Sequence, residues 1–501
     1  MREELVAYFG EHQKLVEADA LRLILTTSQP LEFSRRLIEV AGPESHFVTV
    51  QMVERLIYDP ARRAAAVGPT PRPVDRAAPR VPLAPAELYR LIQEGFVPPS
   101  PGLSPREAYD ALFASRFRTL ARPLRGRPEL SGSLPIGEVR KSEGRTSVIA
   151  MVREVRQTPE KHHLILQVED ETGMLEVLVP RDSPPAQVTF LPDEMIGLVL
   201  SLPKERDRIP RATAVFRPDV PASRATARAT RPSRVLFLSD LHIGSRSFMA
   251  EPWAALIDFL NGRSVRPEVA KEIAHVVIAG DLVDGIGIYP NQERDLAIGD
   301  VLEQYEELAR RLRELPSHLN IIVHPGNHDA VCPAEPQPAL PEEFRARLPA
   351  NVHSVANPST FALDGVVIES YHGRSFDDLI PAIPGASYSR PTEVMKRMLA
   401  MRHLAPMYGG RTPLTPSGRD GLVIDPAPDI LVTGHAHTFG IDQYRGILLL
   451  NASTWQAETE YQRMRNITPV PARAAVVDLR DLGVQDLDFS VGEGRAGGAA
   501  A

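Results

Sequence analysis

The sequence predicts a multi-domain α/β protein: a small helical N-terminal domain, then a small β-barrel, then a layered α/β domain. Three observations carry this. Apolar residues recur at helical spacing near the N-terminus. The period changes to two between about 132 and 219. From 234 onward, wholly apolar strands alternate with helical stretches, and the strands run into Asp, Asn or His.

A chain of 501 residues has room for three or so domains, and 43% apolar content is enough for their cores. A formal net charge of -7 argues against coating nucleic acid along the whole length, though it leaves room for a local basic channel. One cysteine, Cys332, allows no internal disulfide and no Cys-rich zinc module, which fits a reducing cytoplasm. Fourteen histidines suffice for a metal site of nitrogen and oxygen donors. The opening MREELVAYFGEHQKL lacks the apolar core of a signal peptide. No run of about 18 apolar residues exists, so no membrane partner is expected.

Taken in order, residues 1–60 read as the helical domain, with Leu5, Phe9, Leu15, Leu21, Leu23, Ile24, Leu37 and Ile38 at helical spacings. Residues 61–86, rich in Ala, Arg and Pro without apolar period, read as a disordered linker. A helical connector over 87–131 carries Tyr109, Leu112, Phe113, Phe117 and Leu120 on one side. Short strands at 148–157, 163–173, 174–180 and 195–203, with a hairpin-like turn at Asp170-Glu171-Thr172-Gly173, follow within 132–219. An OB fold suits them best, although a β-sandwich is equally compatible with the spacing. A second linker spans 220–233, the layered domain 234–490, and a disordered tail 491–501.

The last domain holds the chemistry. VLFLSD (235–240), HVVIAGD (275–281), IIVHPGNHD (321–329) and ILVTGHAH (430–437) have apolar runs, as strands covered on both faces must, and end in metal-binding groups. These groups are Asp240 and His242, Asp281, Asn327 with His328 and Asp329, and His435 with His437; Tyr371-His372-Gly373 follows a fifth strand. In layered α/β folds, ligands collect at the carboxyl ends of strands. Hydrolysis of an anionic phosphodiester calls for two cations, and imidazole with carboxylate suits Mn²⁺, Fe²⁺ or Zn²⁺. Glycines before Asp281, Asn327 and His435 permit close backbone approach. Each motif alone is weak, but the ordered set is specific.

That set resembles the calcineurin-like metallophosphoesterase superfamily over about residues 233–480. The resemblance implies an αββα sandwich and two divalent metal ions, Mn²⁺ first and Fe²⁺ or Zn²⁺ next. Asp240, His242, Asp281 and His437 would hold one ion. Asp281, Asn327, His372 and His435 would hold the other, with Asp281 bridging. His328 is similar to the family's non-ligand histidine, which stabilises the transition state or protonates the leaving oxygen, and Asp329 would orient it through Nδ1–H. The phrases FLSDLHIGS, GDLVDGIGIYP, HPGNHDA, SYHGRSFDDLI, VTGHAHTFG and NASTWQAETEYQRMRNITPVP are similar to the small subunits of archaeal D-family DNA polymerases. This narrower resemblance implies a 3′–5′ exonuclease that hydrolyses the 3′-terminal phosphodiester for proofreading. It acts on single-stranded 3′ ends beside a large catalytic polymerase subunit. A sliding clamp is a further candidate partner, although no Q-x-x-aliphatic-x-x-aromatic-aromatic peptide occurs.

Two other readings stand beside it: a non-catalytic scaffold subunit, against which the full ligand set speaks, and a stand-alone phosphoesterase of small molecules, against which the barrel speaks. His275, His318, His353 and His403 lie outside the motifs and read as bystanders, as does Cys332. His324, Asp284 and Asn291 are candidates for supporting the site. Trp455 reads as core, and Arg246 and Arg374 as either phosphate contacts or solvated side chains.

Overall fold

The computed structural model describes residues 89–99, 101–203, 205, 209–264, 267–464, 467–490 and 495–496, with parts of 5–53. The chain divides into two units, Met1–Pro82 and Leu83–Ala501. In the first, helices Ala18–Leu25 and Pro30–Ala41 bury Leu21, Ile24 and Leu37 together with Leu5 and Phe9. Leu15 lies not in a helix but in a short strand, Leu15–Val16, parallel to Phe47–Val48. The linker read at 61–86 lies outside the described residues, as does most of the tail read at 491–501.

The elements of the second unit are numbered from its start. Strand β1 (Tyr89–Glu94) is followed by helix α1 (Pro105–Arg125). Ser104 caps α1 in a capping box with Glu107, and Pro105 occupies its first turn, where a missing N–H costs nothing. The connector is therefore not helical throughout. Strand β1 makes backbone bonds to a sheet edge and leaves Leu91 and Ile92 exposed, so its side chains carry no burial period from which a strand could be read.

Strands β2 (Arg145–Gln157), β3 (Leu164–Asp170), β4 (Gly173–Val179), β5 (Met195–Ser201) and β6 (Arg211–Phe216) close a barrel in the order β2-β3-β4-β6-β5, that of an OB fold. Alternation explains the closure. Val148, Ala150 and Val152 point inward to Leu166, Val177 and Leu198, while Ile149 and Met151 face outward onto Leu120 and Leu124 of α1. The sequence reading missed β6, whose RATAVF segment is short and polar at its start.

Segment 220–233 has no regular structure, but it is no free tether. Arg224 pairs with Asp429 (2.5 Å), Arg231 pairs with Asp364, and Val220 and Ala229 are buried against the last domain. Alternating Arg and Ala read as solvated because the carboxylates that receive them lie some 130 to 200 residues away.

The last domain stacks two sheets. One contains β7 (Arg234–Leu238), β8 (Ile273–Ala279), β9 (Asn320–His324), β10 (Val352–Ser354), β16 (Arg473–Asp478), β17 (Val484–Asp488) and β18 (Arg495–Ala496), in the order β10-β9-β8-β7-β16-β17-β18. The other contains β1, β11 (Ser359–Leu363), β12 (Val366–Ser370), β13 (Ile430–Thr433), β14 (Phe439–Tyr444) and β15 (Ile447–Ala452), in the order β14-β15-β13-β12-β11-β1. Both faces of the central strands are covered. Val235, Phe237, Val277 and Ile322 pack between the sheets against Ile368, Ile430 and Val432. Leu236, Leu238, Val276 and Ile321 pack outward on α2 (Ala250–Leu260) and α3 (Val301–Arg313). On the far side, Leu431 and Leu449 meet α4 (Phe376–Ala382) and α5 (Pro391–Met401). The result is the αββα sandwich of a calcineurin-like phosphoesterase.

Arg116 fastens these parts together. Fully buried on α1, it donates to Asp420 Oδ2 (2.6 Å) and to the carbonyls of Pro406 (2.7 Å) and Asp193 (3.2 Å), the last in the loop entering β5. Among the described residues, no helix is long and apolar enough to cross a membrane.

Candidate metal centre

Strands β7, β8, β9, β12 and β13 run parallel in their two sheets, and their carboxyl ends open at the same edge of the sandwich. Asp240 and His242 follow β7, Asp281 follows β8, Asn327 and His328 follow β9, His372 follows β12, and His435 and His437 follow β13. Asp240, His242, Asp281, His435 and His437 all have positive φ, between 48° and 64°. Non-glycine residues rarely adopt this conformation; it persists here because packing over-determines it, a mark of functional sites. The Asp240 turn shows how. Its N–H bonds Gly280 O (3.0 Å), while its carbonyl accepts from Trp455 N (2.9 Å) and Thr454 Oγ1 (3.0 Å).

Gly434 illustrates the crowding. A Cβ at that position would overlap Ser239 Oγ and the Asp240 carboxylate, so glycine alone lets the β13 loop reach the β7 loop. Gly326 likewise lies against Asp281.

Donor atoms converge in two groups that share Asp281. In the first, Asp240, His242, Asp281 and His437 come together: His437 Nε2 lies 3.2 Å from Asp240 Oδ1 and 3.1 Å from His242 Nε2, and His242 Nε2 lies 3.8 Å from Asp281 Oδ2. In the second, Asp281, His372 and His435 come together, with His372 Nε2 3.2 Å from Asp281 Oδ2 and 3.1 Å from Asn327 Oδ1. The seven residues expected as ligands thus meet around one carboxylate.

Surrounding groups orient these donors. His372 Nδ1–H donates to Ala279 O (2.9 Å) and His242 Nδ1–H to Asp284 Oδ1 (2.9 Å), so each imidazole presents Nε2 to the centre. Gln456 Nε2 donates to the same Asp284 oxygen (3.1 Å) and to Ser245 Oγ (2.9 Å). Gln462 Nε2 lies 2.5 Å from His437 Nδ1, and Asp377 Oδ1 lies 3.4 Å from His435 Nε2. The sequence reading did not single out Gln456, Gln462 or Asp377. The two glutamines stand in NASTWQAETEYQRMRNITPVP, a phrase that metal ligation alone leaves unexplained.

His328 is held differently from the expectation. Its Nδ1–H donates to the main-chain carbonyl of Asp284 (2.8 Å), not to Asp329. Asp329 is turned inward, where its carboxylate accepts from Gly326 N (2.8 Å), Leu282 N (3.1 Å) and Tyr305 OH (2.9 Å). It braces two ligand loops and does not touch the imidazole. Burial, with Asp281 nearby, pushes its pKa up to about 7. The expected rise in the His328 pKa is absent too: burial lowers it, and Asp281 only opposes the shift. His328 Nε2 lies 4.0 Å from Asp281 Oδ2.

The donors fit divalent cations. Burial would depress both His242 and His372, yet the Asp240 and Asp284 carboxylates around the first and Asp281 beside the second push each up to about 10. The carboxylates therefore demand positive charge at this spot, and divalent ions would displace those protons.

The other candidates sort plainly. His324 is buried, with Nε2 2.8 Å from Ser370 Oγ, and burial lowers its pKa to about 3. His275 pairs with Asp364, His403 pairs with Asp420, and His353 stacks on Tyr89. Trp455 packs edge-to-face on Trp253 in the core. Arg246 and Arg374 bond the carbonyls of Arg294 and Pro333, and Cys332 is exposed. Asn291 adopts a left-handed turn before a short 3-10 helix.

Residues 235–440 match the family model of the B-type subunits of DNA polymerases alpha and epsilon. The DNA polymerase II small subunit of Archaeoglobus fulgidus is 43% identical over 367 residues, covering 73% of this chain and 73% of that protein. Its counterpart from Methanothermobacter thermautotrophicus is 40% identical, covering 74% of this chain and 77% of that protein. Among solved structures, zinc-complexed Vps29 of Entamoeba histolytica aligns at 17% identity over 53% of this chain and 97% of that one, with a TM-score of 0.28. On the extent and identity of the sequence matches, the chain belongs to the family of archaeal DNA polymerase II small subunits.

Proposed function

We propose that the chain is the 3′–5′ exonuclease of a two-subunit replicative polymerase, hydrolysing the 3′-terminal phosphodiester of single-stranded DNA during proofreading beside a large catalytic subunit. One observation carries the hydrolytic part: two donor groups share Asp281, with His328 standing next to them outside the ligand set. The direction of cleavage, the substrate and the large-subunit partner rest on family resemblance.

Asp240, His242, Asp281 and His437 would hold one divalent cation, and Asp281, Asn327, His372 and His435 the other, with Mn²⁺ the first candidate and Fe²⁺ or Zn²⁺ next. Such a pair supplies Lewis acidity toward the phosphate and lowers the pKa of the attacking water. Asp281 Oδ1 accepts from His328 N (2.9 Å), which fixes the shared carboxylate. The hydrogen bond from His328 Nδ1 to Asp284 O leaves Nε2 free to meet the substrate. As imidazolium, it would neutralise charge on the phosphate and give its proton to the departing 3′ oxygen.

The test uses the chain with its large subunit and a 5′-labelled single strand in Mn²⁺. Stepwise shortening from the 3′ end that is lost in Asp281→Ala and His435→Ala, with subunit binding intact, is the expected result. Equal rates in wild type and Asp281→Ala, or no bound metal in the purified complex, would favour the scaffold reading.

A further inference from the structure

The phrase GDLVDGIGIYP contributes Asp281 to the metal centre and Asp284 to its support, but the Gly-Ile-Gly-Ile run that follows has no role there. Ile286 and Ile288 are 49% and 39% exposed, among the most exposed large apolar side chains described. Water contact by two β-branched residues is ordinary in isolation. Their setting is what matters.

The loop carrying them is rigid. Gly285 N donates to Gln304 Oε1 (2.8 Å), and Gln304 Nε2 donates back to Gly285 O (3.2 Å). Gln292 Nε2 donates to Asp284 O (2.8 Å), while its Oε1 accepts from Ile288 N (2.9 Å). Buried Gln292 and Gln304 thus hold the loop from within and leave its two isoleucines outward.

The loop also abuts the group proposed to act on the leaving oxygen. Asp284 O holds His328 Nδ1. Gly285 is so close to His328 that a Cβ on it would overlap the His328 carbonyl, and Ile288 Cδ1 lies 3.3 Å from that same position. A phosphate presented to His328 therefore brings an attached nucleoside to the edge where these side chains stand. A nucleobase is flat and apolar on its faces, and such surfaces take up bases without regard to sequence.

We propose that Ile286 and Ile288 form a nucleobase platform of the exonuclease site, packing on the unpaired base at the 3′ end and so selecting single-stranded termini. This rests on the exonuclease reading above. An aliphatic platform suits it, since proofreading must accept all four bases and no hydrogen-bond donor reads an edge.

The experiment compares two single strands, one ending in a normal nucleotide and one in an abasic residue, with the two-subunit complex in Mn²⁺. Wild type should bind and cleave the base-bearing end about tenfold better. In Ile286→Ser/Ile288→Ser, that ratio should fall to near one while the rate on the abasic end stays unchanged. Ile286→Leu/Ile288→Leu should keep the wild-type ratio. A wild-type ratio in the serine variant, or no dependence on the base in wild type, overturns the platform. Absence of cleavage of either strand by wild type would instead refute the exonuclease reading, and the binding ratio would still decide the platform.

Discussion

Replacing His328 by Ala isolates the proton-transfer role from metal binding. The imidazole donates one hydrogen bond, to Asp284 O at 2.8 Å, and its ring meets His242 edge-on at 4.7 Å between centroids. Neither contact carries a cation ligand's lone pair, so both ions should remain bound. A lost hydrogen bond of this kind costs stability by about 1 kcal/mol. The catalytic loss should be larger. A positioned general acid contributes about 10²- to 10⁴-fold, equivalent to about 2.7 to 5.4 kcal/mol of barrier at 1.36 kcal/mol per decade. Bound metal and single-turnover rate should be measured on one sample across pH. The acid must be protonated to act, so the wild-type rate should fall as pH rises through the His328 pKa. Burial sets that pKa below the ordinary histidine value, so the decline should begin early and vanish in the variant. Metal lost together with activity would make His328 a ligand, and an unaltered rate would make it structural; either result refutes the reasoning.

Three more outcomes follow from the same geometry. Gln456→Ala removes the donor that steadies Asp284 behind His242, and calorimetry should find metal affinity about 10- to 100-fold weaker. Glu369 is buried beside Thr360, and burial raises its pKa to about 7 from 4.5. Because the folded state retains that proton longer, stability should fall by about 3 kcal/mol between pH 4.5 and 7, and Glu369→Gln should abolish that fall in urea titrations at the two pH values. Arg116→Met strands Asp420 and should cost about 3 to 5 kcal/mol in denaturant midpoints, much of it regained by adding Asp420→Asn.

Where burial is two-sided, sequence and structure agree closely. Strands β7, β8 and β13 are apolar through their centres because both faces are covered, and the polar residues just beyond them are where ligands must stand. That one regularity made the centre legible. Elements held mainly through backbone were not: β1 joins a sheet edge with exposed side chains, and β6 begins on Arg211. Orientation was equally hidden. Asp329 follows His328 in sequence, yet the turn after Gly326 sends its carboxylate to Leu282 N and Tyr305 instead. Partners hundreds of residues apart, such as Arg116 and Asp420, leave no local periodicity at all.

The ligands come from both halves of the sandwich. Asp240, His242, Asp281 and Asn327 belong to loops of one sheet; His372, His435 and His437 belong to loops of the other. Each ion would therefore act as a clasp across the mouth of the two layers, tying loops that side-chain packing alone leaves crowded with carboxylates. Loading then becomes a mechanical property of the fold. An ion present at about a hundred times its dissociation constant would add about 2.7 kcal/mol to stability. Chelation would loosen the layers at the end where DNA would enter, while the far end, sealed by Phe361, Leu363 and Val366, would hold.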